Sequence, residues 1–228
     1  EFGGTRWIAT AWDGPVMSST DGVAWSPITN LRLGQISYGN GRWVVIGSDR
    51  RTFFRSADGS TWLEAPSPIV FQGWADSTLA FGDGQWLAAS LGSDRELIAS
   101  TDGETWTVRP LPDEVRRVNP DNRLLYLSLA YGTGNWLLQY PSCPTSGVGC
   151  TNLLWKSKDG HTWEKLIPNV GSLDSVQFAP GPEGGLWFGY DVTGSRICVS
   201  KDLDHWECSA GAPEVGGPFG SRGPIVRV

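Results

Sequence analysis

Apolar residues in this chain come in short runs, such as "RWVVIG" at 42–47, "QWLAAS" at 85–90 and "NWLLQY" at 135–140, and every run is cut by a turn rich in Gly, Asp, Asn or Pro. No stretch sustains a helical period, so the pattern predicts many short strands joined by tight turns. The turns themselves repeat. Ser-x-Asp-x-x-x-Trp occurs at Ser19–Trp25, Ser56–Trp62, Ser100–Trp106, Ser157–Trp163 and Ser200–Trp206, and four of the five copies place Gly directly after Asp. Asp-Gly between two extended runs is a hairpin signal, because Gly supplies a positive φ and the Asp carboxylate accepts hydrogen bonds from turn amides. Asp21, Asp58, Asp102, Asp159 and Asp202 are therefore expected to be structural.

A second motif precedes each of these turns: "FGGTRWIAT" at 2–10, "YGNGRWVVIG" at 38–47, "FGDGQWLAAS" at 81–90, "YGTGNWLLQY" at 131–140 and a stretched "FAPGPEGGLWFGY" at 178–190. An aromatic ends one strand, a Gly-containing turn follows, and Trp opens an apolar second strand. One unit is then four strands long. The Ser residues of successive turns lie 37, 44, 57 and 43 residues apart, near the period of about 40 to 50 residues of a propeller blade. The predicted fold is an all-β, five-bladed β-propeller of four-stranded antiparallel blades in a single domain, 1–228. Its blades are placed at roughly 224–228 plus 1–30, 31–68, 69–112, 113–168 and 169–212. The first unit lacks an opening strand and the chain ends in "PIVRV", so the C-terminal strand is expected to complete blade one and close the ring.

Thirty Gly and fifteen Pro among 228 residues agree with a turn-rich chain. A net charge of −6 and the lack of any Lys/Arg run argue against nucleic acid or an anionic membrane as partner. No apolar run reaches the roughly 20 residues of a membrane-spanning helix, which points to a soluble chain without a transmembrane segment. The four cysteines form two close pairs, Cys143–Cys150 and Cys198–Cys208, read as local disulfides. A zinc site is disfavoured because only His161 and His205 accompany them and neither pair has ligand spacing, so no metal and no cofactor are expected. Disulfides imply a secreted, periplasmic or cell-surface protein whose signal peptide has been removed.

The repeated turns resemble the Asp-box, or bacterial neuraminidase repeat, of sialidase-like propellers, in the shorter form with Gly one residue early. The resemblance implies turns that are structural and lie away from the ligand face. A sialidase would also need an arginine triad, a Tyr with a Glu partner and an acid/base Asp. The chain shows no Arg-Ile-Pro opening motif, and Tyr38 and Tyr131 are used in turns, leaving Tyr126, Tyr140 and Tyr190.

Ten of the thirteen Trp belong to the two motifs and are expected to pack between blades, with Trp155 beside them in the core; Trp12 and Trp74 remain unexplained. The fifth turn carries Leu203 where Gly is expected, with Cys198 and Cys208 flanking it, which suggests a disulfide that staples a strained hairpin. Function should reside in the variable loops that share the opposite face. The candidate ligand-facing residues there are Trp12, Asp13, Asp49, Arg50, Arg51, Asp94, Arg95, Asp191 and Arg196. Asp beside Arg in three loops forms either a mixed-charge basin for a carboxylate or sugar hydroxyls, or plain exposed ion pairs. The expected role is non-catalytic binding of a protein or glycan by a monomer. A sialidase-like or other glycoside hydrolase is the alternative, and a scaffold within a larger surface protein is the third reading.

Overall fold

The computed structural model of the protein describes residues 1–10, 15–29, 33–71, 77–90, 96–116, 127–142, 151–191 and 195–209. These residues form five antiparallel sheets of four strands, each a simple meander in chain order. Blade one comprises β1 (Phe2–Gly3), β2 (Arg6–Ala9), β3 (Val16–Ser19) and β4 (Ser26–Thr29). Blade two comprises β5 (Leu33–Gly39), β6 (Arg42–Gly47), β7 (Thr52–Ser56) and β8 (Leu63–Pro66). Blade three holds β9 (Ser77–Gly82), β10 (Gln85–Ser90), β11 (Glu96–Ser100) and β12 (Thr107–Arg109). Blade four holds β13 (Ser128–Gly132), β14 (Asn135–Ser142), β15 (Thr151–Ser157) and β16 (Glu164–Leu166). Blade five holds β17 (Leu173–Ala179), β18 (Leu186–Asp191), β19 (Arg196–Ser200) and β20 (Glu207–Cys208). One helical turn, α1 (Asp113–Arg116), lies between blades three and four.

The apolar second strands are buried on both faces, as a strand sandwiched between neighbouring blades must be: Val44, Val45 and Ile46 of β6 and Leu87, Ala88 and Ala89 of β10 are all fully buried. The Trp that opens each of these strands, Trp43, Trp86, Trp136 or Trp187, is at most 1% exposed. Consecutive blades are keyed together by the aromatic-Gly motif. A Cβ placed on Gly3 would lie 2.2 Å from the Tyr38 ring, on Gly39 2.1 Å from Phe81, on Gly82 2.0 Å from Tyr131, and on Gly132 2.2 Å from Phe178. Each of blades one to four thus offers a glycine as a seat for the aromatic of the next, and any side chain there would expel the ring. Hydrogen bonds reinforce the order: Thr10 Oγ1 donates to Gly34 O (2.9 Å), Leu129 N to Thr78 Oγ1 (3.1 Å) and Val176 N to Gln139 Oε1 (2.9 Å).

The five Ser-Asp turns share one network. In each, the Ser hydroxyl donates to the Asp carboxylate and accepts from the amide three residues on, while the Asp Oδ1 accepts two further amides at 2.7–2.9 Å. The residue after Asp has φ near +70° in all five, Leu203 included at +74°. Leu203 is fully buried in the cluster that contains Leu137, Trp187 and Trp206. Cys198 and Cys208 are direct cross-strand partners on β19 and β20 and are joined by a disulfide.

Blade one departs from expectation. Trp7 and Trp25 were expected to be buried between blades, yet they are 40% and 38% exposed, because among the described residues no blade lies on that side of them. Strand β1 is two residues long where the other opening strands have five to seven. The expected closing strand, residues 224–228, lies outside the described residues.

Candidate functional site

In a four-stranded meander the first and third turns lie at one end of the blade, and the loop between the second and third strands at the other, together with the inter-blade connections. The aromatic-Gly and Ser-Asp turns therefore share one face, and the variable loops the opposite one. On the loop face the best-defined structure is the 47–52 loop of blade two. Asp49 ties it down: its Oδ1 accepts the amides of Arg51 and Thr52, both at 3.0 Å, and its Oδ2 accepts the Thr52 hydroxyl at 2.5 Å. Burial opposes ionisation of this carboxylate, but the Thr52 hydroxyl and the two amides outweigh it and hold the pKa below the usual range.

The backbone of the loop is fixed as well. Arg50 sits at φ +63°, its amide donates to Gly47 O at 3.0 Å, and its carbonyl accepts Phe71 N at 2.9 Å. The Arg51 carbonyl accepts Ser67 N at 2.8 Å. The loop and the 66–71 connection thus brace each other, leaving the Arg50 and Arg51 residues exposed on a fixed base. Asp49, expected beside Arg50 and Arg51, binds the Arg51 amide. The sequence gives no sign of the 66–71 brace, because it is made by backbone atoms of Ser67 and Phe71.

On blade five, Asp191 ends β18 and Arg196 opens β19 as its cross-strand partner. The Arg196 guanidinium donates from Nη2 (2.7 Å) and Nε (3.2 Å) to Asp191 Oδ2. The Asp191 side chain is 1% exposed against 38% for Arg196, so the carboxylate orients the guanidinium from below. Trp12, Asp13, Asp94, Arg95 and the Cys143–Cys150 pair lie outside the described residues, as does Trp74.

The five turn aspartates are acceptors in a closed set of bonds. The Thr61 and Ser60 amides bring Asp58 to a pKa of about 2, and the Thr162 and His161 amides do the same for Asp159, also to about 2. Asp21 is lowered chiefly by the Val23 amide, Asp102 by the Thr105 amide and Asp202 by the His205 amide. Held ionised by these donors, the carboxylates are not poised for acid–base chemistry at neutral pH. A cavity of about 330 Å³ lies beside the second Ser-Asp turn, lined by Arg42, Arg55, Asp58, Thr61 and Leu63. Both of its guanidinium groups bind blade three: Arg42 Nη1 donates to Asp102 O at 3.0 Å and Arg55 Nη2 pairs with Glu104 at 2.7 Å. Among the described residues no group of three His, Cys, Asp or Glu side chains converges as a metal site, and no helix is long and apolar enough to cross a membrane.

No family model matches the chain, and no curated protein sequence does either. Solved structures do. YCF48 from Cyanidioschyzon merolae is similar at a TM-score of 0.58 and 15% identity, over 92% of this chain and 69% of that one. YCF48 bound to D1 peptide gives a TM-score of 0.56 at 16% identity, over 90% of this chain and 63% of that one. The GH74 enzyme of Niastella koreensis gives 0.54 at 16% identity, over 89% of this chain but 29% of that one. The chain thus spans less than two thirds of the length of the peptide-bound YCF48. The likeness is one of fold: with five successive four-stranded antiparallel sheets among its described residues, the chain has the β-propeller fold.

Proposed function

We propose that this propeller is a non-catalytic binding module that recognises a protein or glycan through its variable-loop face. The observation that carries the reading is the 47–52 loop, where Asp49 and the 66–71 connection hold two exposed arginines on a rigid base. Cations on a loop whose backbone is already fixed favour a carboxylate, sulfate or phosphate on the ligand, since little loop ordering is left to oppose binding. Two carboxylates of the loop face are occupied: Asp49 accepts two amides and a hydroxyl, and Asp191 of blade five is buried under Arg196. A hydrolase needs a carboxylate pair facing substrate, and these two serve the loops instead. The peptide-bound YCF48 structure favours a protein ligand over a glycan, as one instance of this architecture holding a polypeptide. The likeness of the Ser-Asp turns to the Asp-box adds fold and no activity. The Cys198–Cys208 disulfide suits an oxidising compartment, so we place the protein outside the reducing cytosol.

The test is a combined glycan and acidic-peptide array probed with the oxidised chain and with Arg51→Ala, alongside a panel of fluorogenic glycosides. Saturable binding that weakens by about tenfold or more in the variant, without turnover, is the expected result. Turnover with a bell-shaped pH profile would overturn it in favour of a glycoside hydrolase.

A further inference from the structure

The seats that join the blades run in one direction: Gly3 receives Tyr38, Gly39 receives Phe81, Gly82 receives Tyr131 and Gly132 receives Phe178. Two positions at the ends of this series do not match each other. The seat position of blade five is Ala179, which pairs with Leu186 as Gly39 pairs with Arg42. A Cβ at this position in the other blades would stand 2.0–2.2 Å from the incoming ring, so Ala179 excludes an aromatic from blade five. At the other end Phe2 is the aromatic that should occupy a seat, and it is 50% exposed.

Around Phe2 lies a continuous apolar flank. Trp7 is 40% exposed and Trp25 38%, while Trp43, Trp86 and Trp136, the equivalents of Trp7, are buried by blades on both sides. The turn glycine of blade one follows the same rule. Gly59, Gly103 and Gly160 each pack on an apolar residue of the preceding blade, Ile8, Val44 and Leu87, whereas Gly22 meets only Trp7 of its own blade. Blade one therefore presents a complete half of the interface used at the other four junctions, and blade five has the wrong complement for it.

We propose that the flank formed by Phe2, Trp7 and Trp25 is the docking surface for a further four-stranded blade of this repeat type, supplied from outside residues 1–228 and carrying a glycine opposite Phe2. Continuity with the four interfaces already formed is the argument for this occupant: Trp43, Trp86, Trp136 and Trp187, at the position of Trp7, are at most 1% exposed, and Tyr38, Phe81, Tyr131 and Phe178, at the position of Phe2, each meet a glycine of the preceding blade. The blade five of a second copy carries Ala179, not glycine, at the seat position. The C-terminal strand is also a poor cover, because a strand that extends β1 lies in the plane of blade one and leaves its flank open.

Hydroxyl-radical footprinting of the oxidised chain, read by mass spectrometry, tests this together with Ala179→Gly, which creates the missing seat on blade five. In the wild-type chain Phe2, Trp7 and Trp25 should oxidise about tenfold faster than Trp43, Trp86 and Trp136, in line with their exposure. In Ala179→Gly, Phe2 and Trp7 should become protected, through ring closure or head-to-tail pairing, and adding Phe2→Ala should undo the protection of Trp7. Wild-type protection that disappears on deleting 210–228 would assign the flank to the chain's own tail, and protection in a wild-type dimer would assign it to a second copy. Either outcome overturns the proposal, as does an Ala179→Gly chain whose Phe2 stays as reactive as in wild type. None of these readouts depends on the loop-face ligand.

Discussion

Leu203→Gly restores the residue that the other four Ser-Asp turns use, so a consensus argument expects it to stabilise the protein. The structure leads to the opposite expectation. At φ +74° Leu203 is strained by about 1–2 kcal/mol, which Gly would relieve. But Leu203 is fully buried against the Leu137 cluster. Emptying such a site costs about 2–5 kcal/mol including the cavity, and glycine adds roughly 0.5–1 kcal/mol of unfolded-state entropy. The loss exceeds the relief by about 2 kcal/mol, or roughly 4–8 °C in melting temperature for a chain of this size. Scanning calorimetry of the oxidised wild type, Leu203→Gly and Gly160→Ala would test the balance. Gly160→Ala should also destabilise, since its Cβ would stand 2.7 Å from Leu87 Cδ1 at the equivalent site one blade earlier. A Leu203→Gly protein that melts at or above the wild type would refute the claim that burial outweighs strain at this turn.

Replacing both Cys198 and Cys208 by Ala should lower stability by about 2.5–3 kcal/mol through loss of a short-loop constraint, and an unchanged denaturation midpoint would show that the bridge does not staple the turn. Gly82→Ala forces the Tyr131 ring from a contact of 2.0 Å, so about 2–3 kcal/mol should be lost in chemical denaturation, with partial recovery on adding Tyr131→Leu. Acid should unfold the protein through its turns. Asp58 and Asp159 have folded pKa values of about 2 against an ordinary 3.8, so their contribution is present above about pH 4 and is lost as pH falls through about 2. The melting temperature should therefore drop between these values, and the Asp58→Asn/Asp159→Asn pair should flatten that drop; a wild-type melting temperature that holds steady down to pH 2 would contradict the assignment.

The repeat made the blades legible because it acts through local chemistry. Ser19, Asp21 and Gly22 form their turn with one another, and a spacing rule is enough to find them. The Gly3–Tyr38 and Gly39–Phe81 seats were not foreseen, since a glycine before a turn looks the same whether it serves its own φ or makes room for a ring from another blade. Trp7 and Trp25 show the reverse error. They carry the motif, but burial requires a neighbour that the motif does not specify. At the loop face, pairing of Asp191 with Arg196 followed from two strand ends meeting across one hairpin, and the structure forms it. The support of Arg50 and Arg51 by Ser67 and Phe71 comes from backbone groups, whose partners are set by topology and leave no mark on composition.

The glycine seats also bear on how such a chain grows by duplication. An interior blade carries a ring for the seat behind it and a seat for the ring ahead, so copying blade three in tandem would join Tyr or Phe to Gly at every new boundary. Copying blade five would not, because Phe178 of the copy would meet Ala179 of the original. A single methyl group at position 179 thus leaves the existing junctions intact while denying a tandem copy of blade five the seat that every other blade offers.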